Sequence, residues 1–399
     1  MNHRLWALTL GNFAVGTGSL IVAGILPAIA SSLDTRVAVA GQLVTIYGLA
    51  LAIGAPLLGI ATRQVDRRPL MLGGLGIFVL ACLFGTFATN FTMLALSRAF
   101  AGVGAALFTP NAAVLAAHLV RPERRGRAIA LVFAGFSLAS VVGAPLGTLV
   151  GEAFGWRSAF AFVAALALLA IFFLAKTVPR GMQVPIVAAR SWFRLFRQSA
   201  PMLAVTTTVL SMAGQYALFT YIAALLAQSH GIGPRGLSAL LVWFGVAGVL
   251  GNAGTGWMVD RVSAARVATF GIGVLLIAFI IMAYSEASLL LTIIAMGLWG
   301  AAAFAIGSAQ QARLVNQDSH LASATLALNA SALYVGQAGG AILGGLAISL
   351  IGFHFALWTG VILLVAALTV SIWESLLPRR QQVGERSGSM PSSSKPRLR

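Results

Sequence analysis

Leu5 to Ala30 reads LWALTLGNFAVGTGSLIVAGILPAIA, without one charged side chain. A bilayer core takes about 20 apolar helical residues to cross, and this run is long enough. Arg4 ahead of it and the ending Ala28-Ile29-Ala30 imitate a secretory leader. A leader's apolar core is only about 7–15 residues long, so the run reads as an uncleaved first membrane span. Comparable runs follow at 39–61, 70–89, 93–119, 127–151 and 157–178. After a gap they resume at 200–227, 236–259, 266–285, 288–312, 322–350 and 353–377. Their length, and the lack of alternating polar positions, predicts helices rather than barrel strands. The expected fold is an all-α membrane protein with twelve transmembrane helices.

Composition agrees. Of the residues, 59% are hydrophobic and 9% charged, whereas a soluble domain carries about 25% charged residues. The net charge of +17 does not indicate nucleic acid, because the basic residues sit in short clusters between apolar runs. Lys and Arg are retained on the cytoplasmic side of a membrane. Of the 26 basic residues, 22 fall on one side of the spans, and Arg36, Arg157 and Arg235 on the other; Arg98 lies inside a span. Both termini are therefore expected in the cytoplasm, with the protein in a bacterial inner membrane and lipid as its main solvent. The single cysteine, Cys82, excludes an internal disulfide and a cysteine-rich metal site.

The spans divide six and six. Gly54, Gly59, Gly143, Gly147 and Gly155 each recur 197 residues later, as Gly251, Gly256, Gly340, Gly344 and Gly352. The constant offset predicts a duplicated six-helix unit and two pseudo-symmetric halves, an architecture that places a substrate site between the halves near midmembrane. The expected organisation is a six-helix bundle at 1–178, a cytoplasmic linker at 179–199, a second bundle at 200–377 and a disordered basic tail at 378–399. Arginines interleaved with Trp192, Phe193, Leu195 and Phe196 predict a surface helix at 188–199.

Several motifs carry a family resemblance. Gly59-Ile60-Ala61-Thr62-Arg63-Gln64-Val65-Asp66-Arg67-Arg68 resembles the glycine–acid–arginine loop of the major facilitator superfamily, and Gly256-Trp257-Met258-Val259-Asp260-Arg261 resembles its second copy. Arg98-Ala99-Phe100-Ala101-Gly102-Val103-Gly104 resembles the family's fourth-span motif, whose arginine is linked to proton coupling. Gly143-Ala144-Pro145-Leu146-Gly147 resembles the antiporter signature of drug exporters. Ala40-Gly41-Gln42-Leu43-Val44-Thr45 with Tyr47 fits the same branch, which includes arabinose-efflux-like and chloramphenicol-exporter-like permeases. The resemblance covers about residues 5–377. It implies twelve helices, drug:proton antiport and a monomer. It assigns coupling or gating roles to Gly59, Arg98, Gly143, Pro145, Gly147, Asp260 and Arg261.

The chain departs from the pattern twice. Arg63 stands where the loop acid belongs, and Ser19 stands where this branch carries a glutamate in span 1. No acid falls deep in an expected span, so the usual membrane-embedded proton carrier is missing. Asp34, near the outer end of span 1, is then the best coupling acid, with Arg98 as its partner. The neutral polar candidates for lining a site are Asn12, Thr17, Ser19, Gln42, Thr45 and Tyr47 in the first half. In the second they are Gln215, Tyr216, Asn329, Tyr334 and Gln337, with Thr207, Ser211, Asn252 and Gln310 beside them. As a set they suggest an uncharged or modestly polar ligand such as a drug, sugar or nucleoside. No enzyme, cofactor or metal is expected, because the spans offer no nucleophile–base pair, acid dyad or ligand cluster. The expected function is export of a small molecule by alternating access. Proton coupling and facilitated transport stay open, as does a non-transporting sensor of the same fold.

Overall fold

The computed structural model describes residues 3–62, 64–121, 124–181, 198–285, 288–317 and 322–376, without the side chains of residues 260, 322 and 323. Among the described residues, twelve helices are long and apolar enough to cross a membrane. In the first half they are α1 (His3–Ser32), α2 (Val37–Ala61), α3 (Arg67–Thr86), α4 (Phe91–His118), α5 (Arg125–Phe154) and α6 (Trp156–Thr177). In the second they are α7 (Ser199–Phe219), α8 (Pro234–Arg261), α9 (Ala264–Ala283), α10 (Leu289–Gln317), α11 (Ala322–Ile351) and α12 (Phe353–Leu376). Apolar side chains such as Leu80, Phe87, Ile277 and Ile362 point outward. In water that surface would be a liability; in a bilayer it is the ordinary exterior.

The duplication read from the sequence is visible in the packing. In the first half α1 packs on α5 and α6, α2 on α4, and α3 on α4 and α6. In the second α7 packs on α11 and α12, α8 on α10, and α9 on α10 and α12. Adding six to every helix number turns one set into the other. The paired glycines Gly155 and Gly352 have φ of 85° and 101°, a region closed to side chains with a β-carbon at little cost. They make the same sharp turn, from α5 into α6 and from α11 into α12.

α1 is the innermost helix: 83% of its apolar window is buried, against 39% for α2, α5 and α6. Small residues on α5 make this possible. A β-carbon added at Gly143, Gly147 or Gly151 would come within 2.0, 2.2 or 2.8 Å of Thr17, Ile21 or Ile25. The α5 backbone therefore lies directly against α1 side chains in four-residue steps, a close approach that small residues in membrane helices allow. Pro145 cannot donate to the carbonyl four residues back and crowds it. The turn before it, Ala139–Gly143, opens to a π-helix, which relieves that crowding. The wider turn presses Val141 against Gly245 of α8, where a β-carbon would meet the Val141 backbone at 2.7 Å.

The structure changes two expected boundaries. The seventh span does not run unbroken to residue 227: α7 stops at Phe219, and a short helix, Ile222–His230, follows Thr220 and Tyr221. α10 continues to Gln317, so Arg313 lies within the helix rather than among the loop charges. Arg63, Glu123, Glu286, Asp318, the tail from 378 and nearly all of the expected surface helix at 188–199 lie outside the described residues.

Candidate functional site

The two halves meet through α2 with α11 and through α5 with α8, pairs that the internal symmetry exchanges. Among the described residues, the hydrogen bonds joining α2 to the second half are donated by Gln42 and Thr45 and accepted by the Ala38 carbonyl. Those between α5 and α8 are Ser238 Oγ to the Pro145 carbonyl at 3.3 Å and the Arg235–Glu152 ion pair at 3.7 Å. All of these residues lie toward the arginine-poor ends of their helices. At the arginine-rich ends of α2 and α8, Gly59 and Gly256 have nothing within 4 Å of where a β-carbon would stand. The close helix contact that the family motif implies for Gly59 is thus not made in this conformation. Among the described residues, the bonds between the halves thus gather at the arginine-poor face.

One side chain is wedged into the arginine-poor face. Tyr221, fully buried at the break after α7, lies between Gly41 at the start of α2 and Gly345 of α11. A β-carbon at either glycine would stand 2.2 to 2.4 Å from Tyr221. Its hydroxyl donates to the Ala341 carbonyl at 2.7 Å and lies 3.4 Å from the Ala38 carbonyl, while Gln42 Nε2 reaches it at 3.4 Å. Sequence reasoning missed Tyr221, because no local pattern joins it to glycines far away in the chain.

Most of the candidate lining residues fall into two groups. Six hold the protein to itself. Asn12 donates to the Val132 carbonyl at 3.1 Å, and Thr17 to the Phe13 carbonyl at 2.7 Å. Gln42 bonds across the closed face, and Thr45 donates to Gln42 Oε1 at 2.9 Å. Gln215 accepts from Trp299 Nε1 at 3.1 Å, and Asn329 accepts from Thr208 Oγ1 at 2.7 Å. Such bonds join or stiffen membrane helices at about 0.6–2 kcal/mol each. Thr207 bonds its own helix, Asn252 accepts from Ser308, and Gln310 donates to the Ala204 carbonyl and Thr208. The second group is buried with polar atoms that have no hydrogen-bond partner in the protein: Ser19 Oγ, Tyr47 Oη, Ser211 Oγ, Gln337 Nε2 and all three Arg98 nitrogens. Tyr216 and Tyr334 lie within electrostatic range of Tyr47. These three tyrosines come from α2, α7 and α11 and so span the junction between the halves.

Arg98 is 1% exposed. It neither snorkels to an interface nor bonds backbone carbonyls. Its guanidinium lies over the Tyr47 ring, 4.3 Å from the centroid. A cation–π contact contributes roughly 0.5–2 kcal/mol, less than the roughly 2.5–3.5 kcal/mol or more that a membrane arginine costs. Asp34 does not offset the difference. It is exposed in the loop after α1, with φ of 46°, while Arg98 is buried against Tyr47. The expected Asp34–Arg98 pair is therefore not formed, because a loop carboxylate that water already solvates is not drawn down into the helices.

A second buried arginine has a different setting. Arg313 of α10 forms an ion pair with Glu374 of α12 and donates from Nε to Glu374 Oε1 at 3.1 Å. Ser371 and Gln310 accept further bonds from Nη1, and Gln317 donates to Glu374 Oε1 at 2.5 Å. The loop motifs do structural work at the same face. Asp66 caps α3 by accepting from the Arg68 N–H at 3.0 Å, and it also accepts from the Gly181 N–H at 2.6 Å. Arg261 stacks on Trp257 at 3.8 Å. The Asp260 side chain lies outside the description.

Comparison with known proteins agrees with this architecture. The family profile described as Major Facilitator Superfamily matches residues 8–254 and again 204–398. The chain is 28% identical to the uncharacterized MFS-type transporter YbcL of Bacillus subtilis, over 92% of this chain and 95% of that protein. It is 30% identical to a chloramphenicol resistance protein of Streptomyces lividans, over 92% and 95%, and 28% identical to the purine ribonucleoside efflux pump NepI of Escherichia coli, over 87% and 88%. Among solved structures, an inward-facing bacterial homolog of the human lysosomal transporter Spinster superposes with a TM-score of 0.77 at 18% identity, covering 93% of this chain and 96% of that one. A D-xylose–proton symporter gives a TM-score of 0.76 at 16% identity, covering 92% and 96%. At such identities the likeness establishes the fold.

Proposed function

The chain belongs to the Major Facilitator Superfamily, and from that premise we propose that it exports a small organic molecule across the bacterial inner membrane by alternating access. One observation carries the reading: among the described residues, the hydrogen bonds and the ion pair between the halves lie toward the arginine-poor face, while Gly59 and Gly256 at the other face meet no neighbouring helix. That is the geometry of two rigid bundles rocking about a central site. The arginine-rich face is cytoplasmic by charge retention, so both termini are cytoplasmic and this conformation opens inward. Export is supported by the relatives named for chloramphenicol resistance and for ribonucleoside efflux. Tyr221 then leaves its glycine slot whenever the outer face opens.

A second reading, facilitated transport, is favoured by the acids. Asp34 is exposed in a loop, and Glu374, the carboxylate buried among the described residues, is already engaged by Arg313. Among the described residues, proton drive therefore has no free acid in the central site.

Cells of an efflux-deficient bacterium, with and without the protein, test export across a panel of antibiotics, nucleosides, sugars and organic acids. At least one compound should accumulate less when the protein is present. Unchanged accumulation of all of them, with the protein verified in the membrane, overturns the reading. Proteoliposomes with an imposed pH gradient then separate the two drives: uphill movement sustained by the gradient defeats facilitated transport.

A further inference from the structure

Four charged side chains are buried among the described residues: Arg67, Arg98, Arg313 and Glu374. Three are matched inside the protein. Arg67 donates to Asn111 Oδ1 at 2.9 Å, and Arg313 pairs with Glu374. Arg98 is the exception. None of its three guanidinium nitrogens has a hydrogen-bond partner, and its contact is the face of Tyr47, whose own hydroxyl is also without one. Cys82 and Tyr47 are the groups within its electrostatic range, and neither is a carboxylate.

An arginine does not escape burial by giving up its proton, as a lysine can. It also cannot carry a coupling proton on and off for the same reason. What it can do is hold an anion, in a fork of N–H groups that matches a carboxylate. The unmatched groups among the site candidates can donate as well. Gln337 Nε2 only donates, and the hydroxyls of Tyr47, Ser19 and Ser211 can donate. Gln337 stands one helical turn from Tyr334, which with Tyr47 and Tyr216 gives aromatic surface at the junction of the halves. Buried donors left unpaired select for a ligand that accepts.

We propose that the transported molecule is a small aromatic carboxylate, its anionic group neutralising Arg98 and its ring lying among the tyrosines. This rests on the reading of the chain as a transporter with its site between the halves. It replaces the expectation of an uncharged ligand, which weighed the neutral side chains and left Arg98 to coupling.

The test compares matched probes on the purified full-length protein by thermal shift. Benzoate and 4-aminobenzoate are set against benzamide, with adenosine and chloramphenicol as uncharged controls. The carboxylates should raise the melting temperature saturably and bind at least tenfold more tightly than benzamide. Arg98→Lys should keep part of the preference, and Arg98→Gln should abolish it. The wild-type comparison stands even if a variant fails to fold. Binding of adenosine, chloramphenicol or benzamide with equal affinity in wild type and Arg98→Gln overturns the anion assignment while leaving the transport reading intact. Silence toward every probe, together with unchanged cellular accumulation, overturns both.

Discussion

Arg98 and Arg313 are both buried in membrane helices, one in each half, 1% and 3% exposed. Arg313 is surrounded by its own protein: Glu374, Ser371 and Gln310 take up its charge and its donors. Arg98 has one aromatic face. The internal symmetry does not relate the two, since the 197-residue offset takes Arg313 to Ala116. The difference separates a charge that holds a bundle together from one held ready for something outside the chain. A buried pair is costly to break because the survivor is left uncompensated. A lone buried charge is costly to keep.

The largest effect should come from breaking the pair. Glu374→Ala leaves Arg313 buried and unmatched, and should cost about 3–5 kcal/mol of stability. Thermal unfolding in detergent would show it as a large drop in midpoint and yield. A change no bigger than that of a surface substitution would mean the pair does not hold the second half together.

Arg98→Leu should act with the opposite sign. Removing a charge that nothing in the protein neutralises should stabilise the ligand-free protein, by about 2 kcal/mol or more, while transport is lost. If the midpoint falls instead, Arg98 has a structural partner and the contrast with Arg313 is wrong.

The smallest change sharpens the contrast most. Cys82 is buried and within electrostatic range of Arg98. Cys82→Asp would supply Arg98 with an internal counter-charge, converting it to the condition of Arg313. Carboxylate binding should weaken about tenfold, a shift of about 1.4 kcal/mol, with stability altered less than by Glu374→Ala. Titration of benzoate against the variant measures it; undiminished affinity would separate the ligand from Arg98.

Much of this was legible in the sequence, and the reason is the solvent. A bilayer forces each span to be long, apolar and helical, so twelve runs could be marked directly, and shared glycines such as Gly155 and Gly352 exposed the duplication. Side-chain partnership was much less visible. Asn12, Gln42 and Asn329 look like ligand groups on a linear chain, yet each finds its partner on a helix distant in sequence. Arg313 resembled one more positive-inside charge until α10 proved long enough to carry it inward. Asp34 and Arg98 are near the same ends of their spans, but Asp34 stays in the outer loop while Arg98 lies inside α4. Ser19 Oγ, Tyr47 Oη and Gln337 Nε2 are buried without a hydrogen-bond partner, so internal bonding does not account for them as it does for the others.

The slot that holds Tyr221 makes the chain unusually easy to arrest. Its walls, Gly41 and Gly345, belong to opposite halves, and a methyl group at Gly345 would stand 2.8 Å from Gln42 and 3.2 Å from the Ala38 carbonyl of the first half. Gly345→Ala should therefore act as a wedge, favouring the conformation open to the arginine-poor face without touching Arg98. With Cys82 buried as the sole native thiol, a cysteine placed at Ala38 would report the change as faster labelling by a membrane-impermeant reagent. One added carbon atom would supply the opposite snapshot of the cycle, and with it a form of the protein suited to raising state-selective antibodies.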